Sequence, residues 1–372
     1  MSNKGFELRI LIVFSLSGCF GVSDKYIRIH DPSTVRKFDG KYMTFSTTGG
    51  NEDKGIKSRF YSFDKKKWLA GEDILLGINT PKWLKKLYPN NRGKFWAPDL
   101  PYSDKKIIYY SNWSFSGQDG VASIGRAVGS GIAPDITWTD DGKPVISTDK
   151  YTYDNGGPCA IDPAVFEDYA GNLWLSFGSH GLENSPGYGG IWIVRLDPKT
   201  GHIPIGTDPI WSPGNKAFTQ LANYGDNKYT ENNIEAPFVY KFEGYYYLFV
   251  NWDRCCNGIE SDYQILVGRS KLPEGPYFDR AGKNLVDGGG TLVLESKGKY
   301  IGPGHAGIFK DEKGVFCFSF HYYDGQDNGR AKLGLRKLVW EDDWPIITDK
   351  TYELMEFEET SVLPPGLTRP PH

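Results

Sequence analysis

The chain has 372 residues and a formal net charge of −3, and 15% of its residues are aromatic, beside 45 Gly and 23 Pro. Many aromatic and turn-forming residues favour short strands over long helices, and one large all-β domain can reach this size. Since there is no long basic run, the charge excludes an electrostatic footprint for nucleic acid and favours a neutral partner.

The first 19 residues resemble an export signal. Lys4 and Arg9 precede the apolar run 10–14, which is followed by Leu-Ser-Gly and Cys19. This order resembles the bacterial lipobox, in which the Cys becomes the lipidated first residue, whereas an ordinary signal peptide would be cut nearby without a lipid. We therefore expect residues 1–19 to be a signal peptide with a lipobox, and the protein to be a secreted cell-envelope lipoprotein anchored through Cys19. This lipid would be its sole link to a membrane.

A short turn followed by an aromatic strand recurs five times along the rest of the chain. The turns are marked, at intervals of 63 to 73 residues, by Asp31, Asp99, Asp162, Glu235 and His305. A fixed period of this length indicates a propeller. Each repeat holds a hairpin, and further strands follow, which gives four strands per unit. The prediction is an all-β fold in which residues 20–372 form a single five-bladed β-propeller with four antiparallel strands per blade. The five markers should then meet in one cavity at one end.

The cysteines predict little. Cys159 and Cys317 are isolated in the sequence, Cys255 and Cys256 are adjacent, and no zinc-type CxxC pair exists. Small buried side chains are the simplest interpretation for most of them, and a disulfide framework is not indicated.

Four of the markers are acids, the residue type that glycosidic hydrolysis requires. One protonated carboxyl donates to the leaving oxygen, and one ionised carboxylate activates water or attacks the sugar. A lone Asp before Pro is usually only a turn residue. Asp31, Asp162 and Glu235 at equivalent places in three repeats favour catalysis instead. Asp99 has no assigned chemistry, and we expect it to cap its turn.

The turns resemble the signature turns of the family 43 glycoside hydrolases over roughly residues 26–345. The resemblance is carried by segments 31–32, 96–99, 161–163 and 234–237. It implies inversion at the anomeric carbon, with Asp31 as general base, Glu235 as general acid, and Asp162 raising the pKa of that acid and orienting it. It also implies that His305 holds a metal ion through waters in the central channel. An oxygen-rich shell suits calcium better than zinc, and no organic cofactor is expected.

The segment 249–270 is similar to the one that follows the acid in endo-α-1,5-L-arabinanases. The expected substrate is therefore a plant or algal polysaccharide of the arabinan type. Loops 111–120 and 180–189 should lie at the rim of the site. Candidate substrate-binding residues are Trp96, Trp113, Phe115 and Trp252, whose rings can stack on sugars, and Arg269, which can orient an acid.

Two alternatives stay open at the level of the sequence. One is an exo-acting α-L-arabinofuranosidase or β-xylosidase on the same scaffold, because the shape of the loops decides between internal and terminal cleavage. The other is a sugar-binding propeller without catalysis, because propellers host both functions.

Overall fold

The computed structural model describes residues 28–48, 55–88, 93–102, 104–113, 122–149, 151–152, 155, 157–179, 189–207, 211–224 and 234–354. Within these ranges the chain forms five antiparallel sheets, each built from strands that are consecutive along the chain. The structure confirms the five-bladed β-propeller with four antiparallel strands per blade. No helix in the described ranges is long and apolar enough to span a membrane.

The first two blades share one feature, a short innermost strand. Blade one consists of β1 (Arg36–Phe38), β2 (Lys41–Ser46), β3 (Lys57–Ser62) and β4 (Lys67–Ala70). Blade two consists of β5 (Trp96–Asp99), β6 (Ile107–Trp113), β7 (Ala122–Ile132) and β8 (Asp135–Asp140), with β9 (Ile146–Thr148) as an additional partner of β7. One short helix, α1 (Leu84–Leu87), and a 3-10 turn (Gly77–Asn79) lie between them.

The remaining three blades follow the same order from the axis outward. Blade three consists of β10 (Ala164–Glu167), β11 (Leu173–Ser179), β12 (Gly190–Leu196) and β13 (Phe218–Ala222). Blade four consists of β14 (Ile234–Phe242), β15 (Tyr245–Trp252), β16 (Gln264–Ser270) and β17 (Thr291–Leu294), with 3-10 turns at Gly258–Glu260 and Leu285–Asp287. Blade five consists of β18 (Tyr300–Lys310), β19 (Phe316–Asp324), β20 (Arg330–Glu341) and β21 (Trp344–Thr351).

The hydrophobic core is divided into five clusters, one at each junction between neighbouring blades. Second strands such as β15 and β19 are therefore buried on both faces. Their aromatic and β-branched residues pack well against such surfaces. The ring closes between blades five and one, where the Ile29 N–H donates to the Ala331 carbonyl.

Candidate active site

A residue with left-handed backbone recurs in the innermost segment of every blade. The positive φ angles are 47° at Asp31, 42° at Ala97, 53° at Asp162, 53° at Ala236 and 61° at His305. Non-glycine residues rarely adopt this conformation, so its repetition identifies the structurally equivalent position of each blade. In the blades where both strands are paired around it, this residue lies in a bulge of the innermost strand.

This register corrects the one expected from the sequence. Asp31, Asp162 and His305 occupy equivalent positions, but Glu235 precedes its left-handed residue by one position and Asp99 follows its own by two. The prediction that all five markers meet at one end is therefore wrong for Asp99. That carboxylate accepts a hydrogen bond from the Val165 N–H at 3.0 Å and lies further along the axis.

The left-handed residues are held by a ring of hydrogen bonds that crosses every junction between blades. In each case the N–H of one blade's left-handed residue donates to a side chain of the preceding blade. Four acceptors come from second strands or the residues that extend them: Thr47 for Ala97 (2.9 Å), Ser111 for Asp162 (3.3 Å), Asn251 for His305 (3.0 Å) and His321 for Asp31 (3.2 Å).

The junction between blades three and four differs. The equivalent position on β11 is Gly178, whose N–H bonds to the Ile161 carbonyl and which has no side chain to offer. A Cβ there would lie 2.2 Å from the Gly190 carbonyl oxygen. The acceptor for Ala236 N–H is instead Asp162 Oδ2, at 3.0 Å. Asp162 is thereby fixed directly against the backbone that carries Glu235.

The Asp31 carboxylate lies among one hydroxyl and three imidazoles. Thr47 Oγ1 donates to its Oδ2 at 2.6 Å, and His30 Nδ1 lies 2.8 Å from the same oxygen. His321 Nδ1 and His305 Nδ1 lie 3.5 and 3.8 Å from its Oδ1. Burial raises the pKa of Asp31, but the interactions with His30, and then with the other two imidazoles, outweigh burial and hold that pKa well below its usual range. Asp31 is therefore ionised at neutral pH.

Asp162 has the opposite electrostatic environment. Its side chain is buried, and two further carboxylates, Glu235 and Asp31, face it. Burial first, and then the charge of Glu235 and that of Asp31, raise the pKa of Asp162 well above its usual range, against the lowering effect of the Ala236 N–H. The Asp162 and Glu235 carboxyl groups interact strongly and therefore retain a proton between them.

Tyr263 completes this pair and was not among the predicted site residues. Its hydroxyl donates to Glu235 Oε1 at 2.6 Å. Burial, followed by the charges of Glu235 and Asp162, raises the pKa of Tyr263 well above its usual value, so the phenol stays protonated. The signal lay in the sequence, since Tyr263 falls inside the segment similar to arabinanases.

The adjacent Cys255 and Cys256 form a disulfide, which the sequence did not predict. The Cys256 N–H donates to the Tyr323 hydroxyl at 2.6 Å, and that hydroxyl lies 2.7 Å from His30 Nε2. The disulfide turn of blade four therefore buttresses the imidazole beside Asp31. Cys159 and Cys317 are buried and form no disulfide with another described residue, as expected.

Two of the predicted sugar platforms lie among the described side chains. Trp96 is half-buried and immediately precedes the left-handed Ala97. Trp252 pairs with Ile234, the neighbour of Glu235, and its ring lies 5.0 Å from that of Tyr224. Both therefore lie at the end of the blades that carries the acids. Phe115 and the Trp113 side chain fall outside the described residues, as do most of the predicted rim loops.

Arg269 is not brought to this site. It pairs with Tyr247 and lies five residues along β16 from Gln264, the strand end on the side of Glu235. Its guanidinium lies 4.4 Å from the Tyr245 ring and 4.6 Å from the Trp344 ring, and it donates to the Asp343 carbonyl. The predicted role in substrate binding or orientation of the acid is therefore not supported, because the strand carries Arg269 to the opposite end of the blade.

His305 is near Asp31, as predicted, but its own environment is crowded. Burial chiefly lowers the pKa of His305, so its imidazole is neutral and offers a lone pair. His30, Asp31 and His321 also have potential ligand atoms within 4.8 Å of one another. His321 Nδ1 already accepts the Asp31 N–H, however, so a direct metal bond there would break one link of the ring.

An ionised carboxylate facing a pair of carboxyls that retains a proton, at the axis of a propeller, supplies the two protonation states that hydrolysis of a glycosidic bond requires. Residues 26–345 match the family model for glycosyl hydrolases family 43. The chain belongs to this family, and the predicted resemblance is confirmed.

Three proteins to which the chain is similar are named arabinanases. The extracellular endo-α-(1→5)-L-arabinanase 1 of Bacillus subtilis is 33% identical over 85% of this chain and 87% of the relative. The crystal structure of an exo-1,5-α-L-arabinanase from a bovine ruminal metagenomic library has a TM-score of 0.73 and 32% identity, over 89% of this chain and 99% of that one. The α-L-arabinanase of Cellvibrio cellulosa, complexed with arabinohexaose, has a TM-score of 0.71 and 28% identity, over 87% and 96%.

Proposed function

We propose that the protein cleaves α-1,5-linked L-arabinofuranosyl bonds inside arabinan and inverts the anomeric carbon. The observation that carries the mechanism is the contrast between two carboxylate environments at the axis: Asp31 lies beside His30 and the Thr47 hydroxyl, whereas Asp162 is buried and faces Glu235. The similarity to arabinanases supports the substrate.

In this mechanism Asp31 is the general base. It holds a water molecule and takes its proton as the water attacks the anomeric carbon, while Thr47 and His30 keep the carboxylate ionised and oriented. Glu235 is the general acid and gives its proton to the leaving oxygen. Asp162 accepts the Ala236 N–H hydrogen bond, and its carboxyl shares one proton with Glu235, so that the two do not both ionise near neutral pH.

Incubation with linear arabinan tests substrate, mode of cleavage and stereochemistry together. An endo enzyme should release oligosaccharides of mixed length among the early products. If the enzyme inverts, the β anomer should appear first in proton NMR spectra. First formation of the α anomer would contradict inversion. The same assay on xylan and galactan should give no products.

The exo-acting alternative is favoured by one observation, the similarity to an exo-1,5-α-L-arabinanase over nearly the whole chain. Release of a single short product from the first minutes onward, with little change in polymer length, would establish it. Hydrolysis of a nitrophenyl arabinoside at rates comparable to those on polymer would point to the arabinofuranosidase.

We further propose that His305, with Asp31 opposite, holds a calcium ion through water. The neutral imidazole and the ionised carboxylate fit a water-bridged cation. When bound, the ion would supply positive charge that helps to keep Asp31 ionised. Exhaustive EDTA treatment should then lower both activity and melting temperature, and calcium should restore them. If neither quantity changes, the proposal is wrong.

We propose that the first 19 residues, which lie outside the described ranges, direct export; the name of the Bacillus subtilis relative, which is called extracellular, supports this. We propose that Cys19 is lipidated. Metabolic labelling with a fatty acid should mark the wild type and not the Cys19→Ala variant. A wild-type protein that is exported without label would instead show an ordinary signal peptide.

A further inference from the structure

A second cavity, of about 310 Å³, opens at the other end of the propeller axis. It is lined by later residues of the innermost segments of blades one to four, several positions beyond the left-handed residues. Asp99 and Arg36 are its most buried charged groups, and Tyr102 and Tyr240 are half-buried beside them. None of these residues has a part in the proposed hydrolysis. The volume lies within the range typical of small-molecule sites.

The charged groups of this cavity balance one another. Arg36 and Lys241 are positive, while Asp99 and Glu167 are acidic. Arg36 is also held in place, because its Nε and Nη2 donate to the Leu100 and Pro101 carbonyls at 2.7 and 3.0 Å. Lys241 Nζ donates to the Asp168 carbonyl. An anion or a cation would therefore find little uncompensated opposite charge, and the cavity favours a neutral ligand.

The walls of the cavity have two properties that a sugar-binding site requires, hydroxyl groups without a partner and apolar ring faces. The phenol hydroxyls of Tyr102 and Tyr240 make no hydrogen bond to any residue in the described ranges, and burial raises the pKa of both, so they remain donors. Their rings, with the buried Phe166 and Phe238, provide apolar faces. Unpaired hydroxyls beside aromatic faces and fixed charges suit a polyhydroxylated ring.

We propose that this cavity is a second carbohydrate site, which binds a short neutral arabino-oligosaccharide away from the site of cleavage. The choice of sugar rests on the proposed function. A chain held there would keep the enzyme on its polymer between successive cleavages.

Calorimetric titration of the full-length Glu235→Gln variant with arabinohexaose tests the proposal, because this variant should bind the sugar without cleaving it. Each molecule of this variant is expected to bind two molecules of arabinohexaose. With Tyr102→Ala and Tyr240→Ala added to Glu235→Gln, only one molecule of arabinohexaose should bind. The control is Leu272→Ala, an exposed apolar residue at the same end of blade four and outside the cavity, which should keep both.

A single equivalent bound by Glu235→Gln, or two equivalents retained after both tyrosines are removed, would overturn the second site. If the alanine variants do not fold, Tyr102→Phe with Tyr240→Phe retains both rings, and weakening of one site by several-fold is expected. Unchanged affinities at both sites in that variant would also overturn it. Failure of the proposed function is distinguishable, since the wild type would then release nothing from linear arabinan.

Discussion

The first and third blades present the same local structure, an Asp in left-handed conformation followed by Pro, yet their carboxylates have opposite electrostatics. Asp31 is surrounded by three imidazoles and the Thr47 hydroxyl, which hold its pKa below the usual range. Asp162 is buried against two other acids, which raise its pKa. The backbone therefore places the acids, whereas neighbouring side chains decide which of them carries a proton.

The ring of inter-blade hydrogen bonds explains how this difference is built. Blade five supplies the His321 imidazole to the Asp31 N–H. At the junction between blades three and four, Gly178 has no side chain that could accept a hydrogen bond. The Asp162 carboxylate accepts the bond from the Ala236 N–H instead. One missing side chain thus brings an acid into contact with the turn of Glu235.

The largest effect should come from removing the acid. Glu235→Gln should lower kcat by about 10²–10⁴-fold, since the amide cannot donate a proton to the leaving oxygen in the same way. Initial rates on linear arabinan measure this. Glu243→Gln, in the exposed β14–β15 hairpin, is the matched control and should keep the wild-type rate. Full activity of Glu235→Gln would contradict the mechanism.

Asp162→Asn should shift the alkaline limb of the pH–rate profile to lower pH. Asp162 and Glu235 share one proton, and whenever Glu235 holds it the charge on Asp162 opposes its loss, so a neutral amide at position 162 allows Glu235 to lose its proton sooner. Since a neighbouring like charge moves a pKa by about 1–3 units, the limb should move by about that much. An unchanged limb would show that Asp162 does not tune the acid.

Tyr263→Phe should move the same limb in the opposite direction. The phenol donates to Glu235 Oε1 and stabilises the ionised form, so its loss raises the pKa of Glu235. A shift of about one pH unit upward is expected from the strength of hydrogen bonds to charged groups. A purely structural role would lower the rate at every pH and leave the limb in place.

Thr47→Val should have the smallest effect on catalysis and a clear effect on stability. It removes the donor to Asp31 and the acceptor for the Ala97 N–H, which becomes unpaired. The free energy of unfolding should fall by about 1–3 kcal/mol, measured by urea denaturation. Thr47→Ser keeps the hydroxyl and should restore most of the loss. Equal destabilisation by both variants would show that the ring bond contributes nothing.

The sequence was sufficient for the fold, because the repeat and its aromatic strands predict blades without reference to contacts. It failed on register. Asp99 and Glu235 were matched to Asp31 and Asp162 because all four are acids. The structurally equivalent positions in their blades are Ala97 and Ala236. An alanine with left-handed backbone cannot be recognised from the sequence. The prediction that Arg269 lies at the site failed for a related reason. The sequence of a strand does not show at which end of the blade a given residue lies.

The three acids were within reach of the sequence, but their environments were not. His30 and His321 approach Asp31 from residues far apart in the chain, and the Cys255–Cys256 disulfide acts on His30 through Tyr323. These contacts depend on closure of the ring between blades five and one and on a loop of blade four. No local pattern encodes them.

A side-chain carboxyl ¹³C NMR titration of the wild type tests the central claim most directly, with Asp31→Asn and Asp162→Asn used to assign the resonances. One carboxyl should stay ionised to well below the usual pH range, and its signal should disappear in Asp31→Asn. The shared proton of the Asp162–Glu235 pair should be lost only well above that range, and this step should disappear in Asp162→Asn. Titration of both at ordinary values, or the reverse assignment, would contradict the claim.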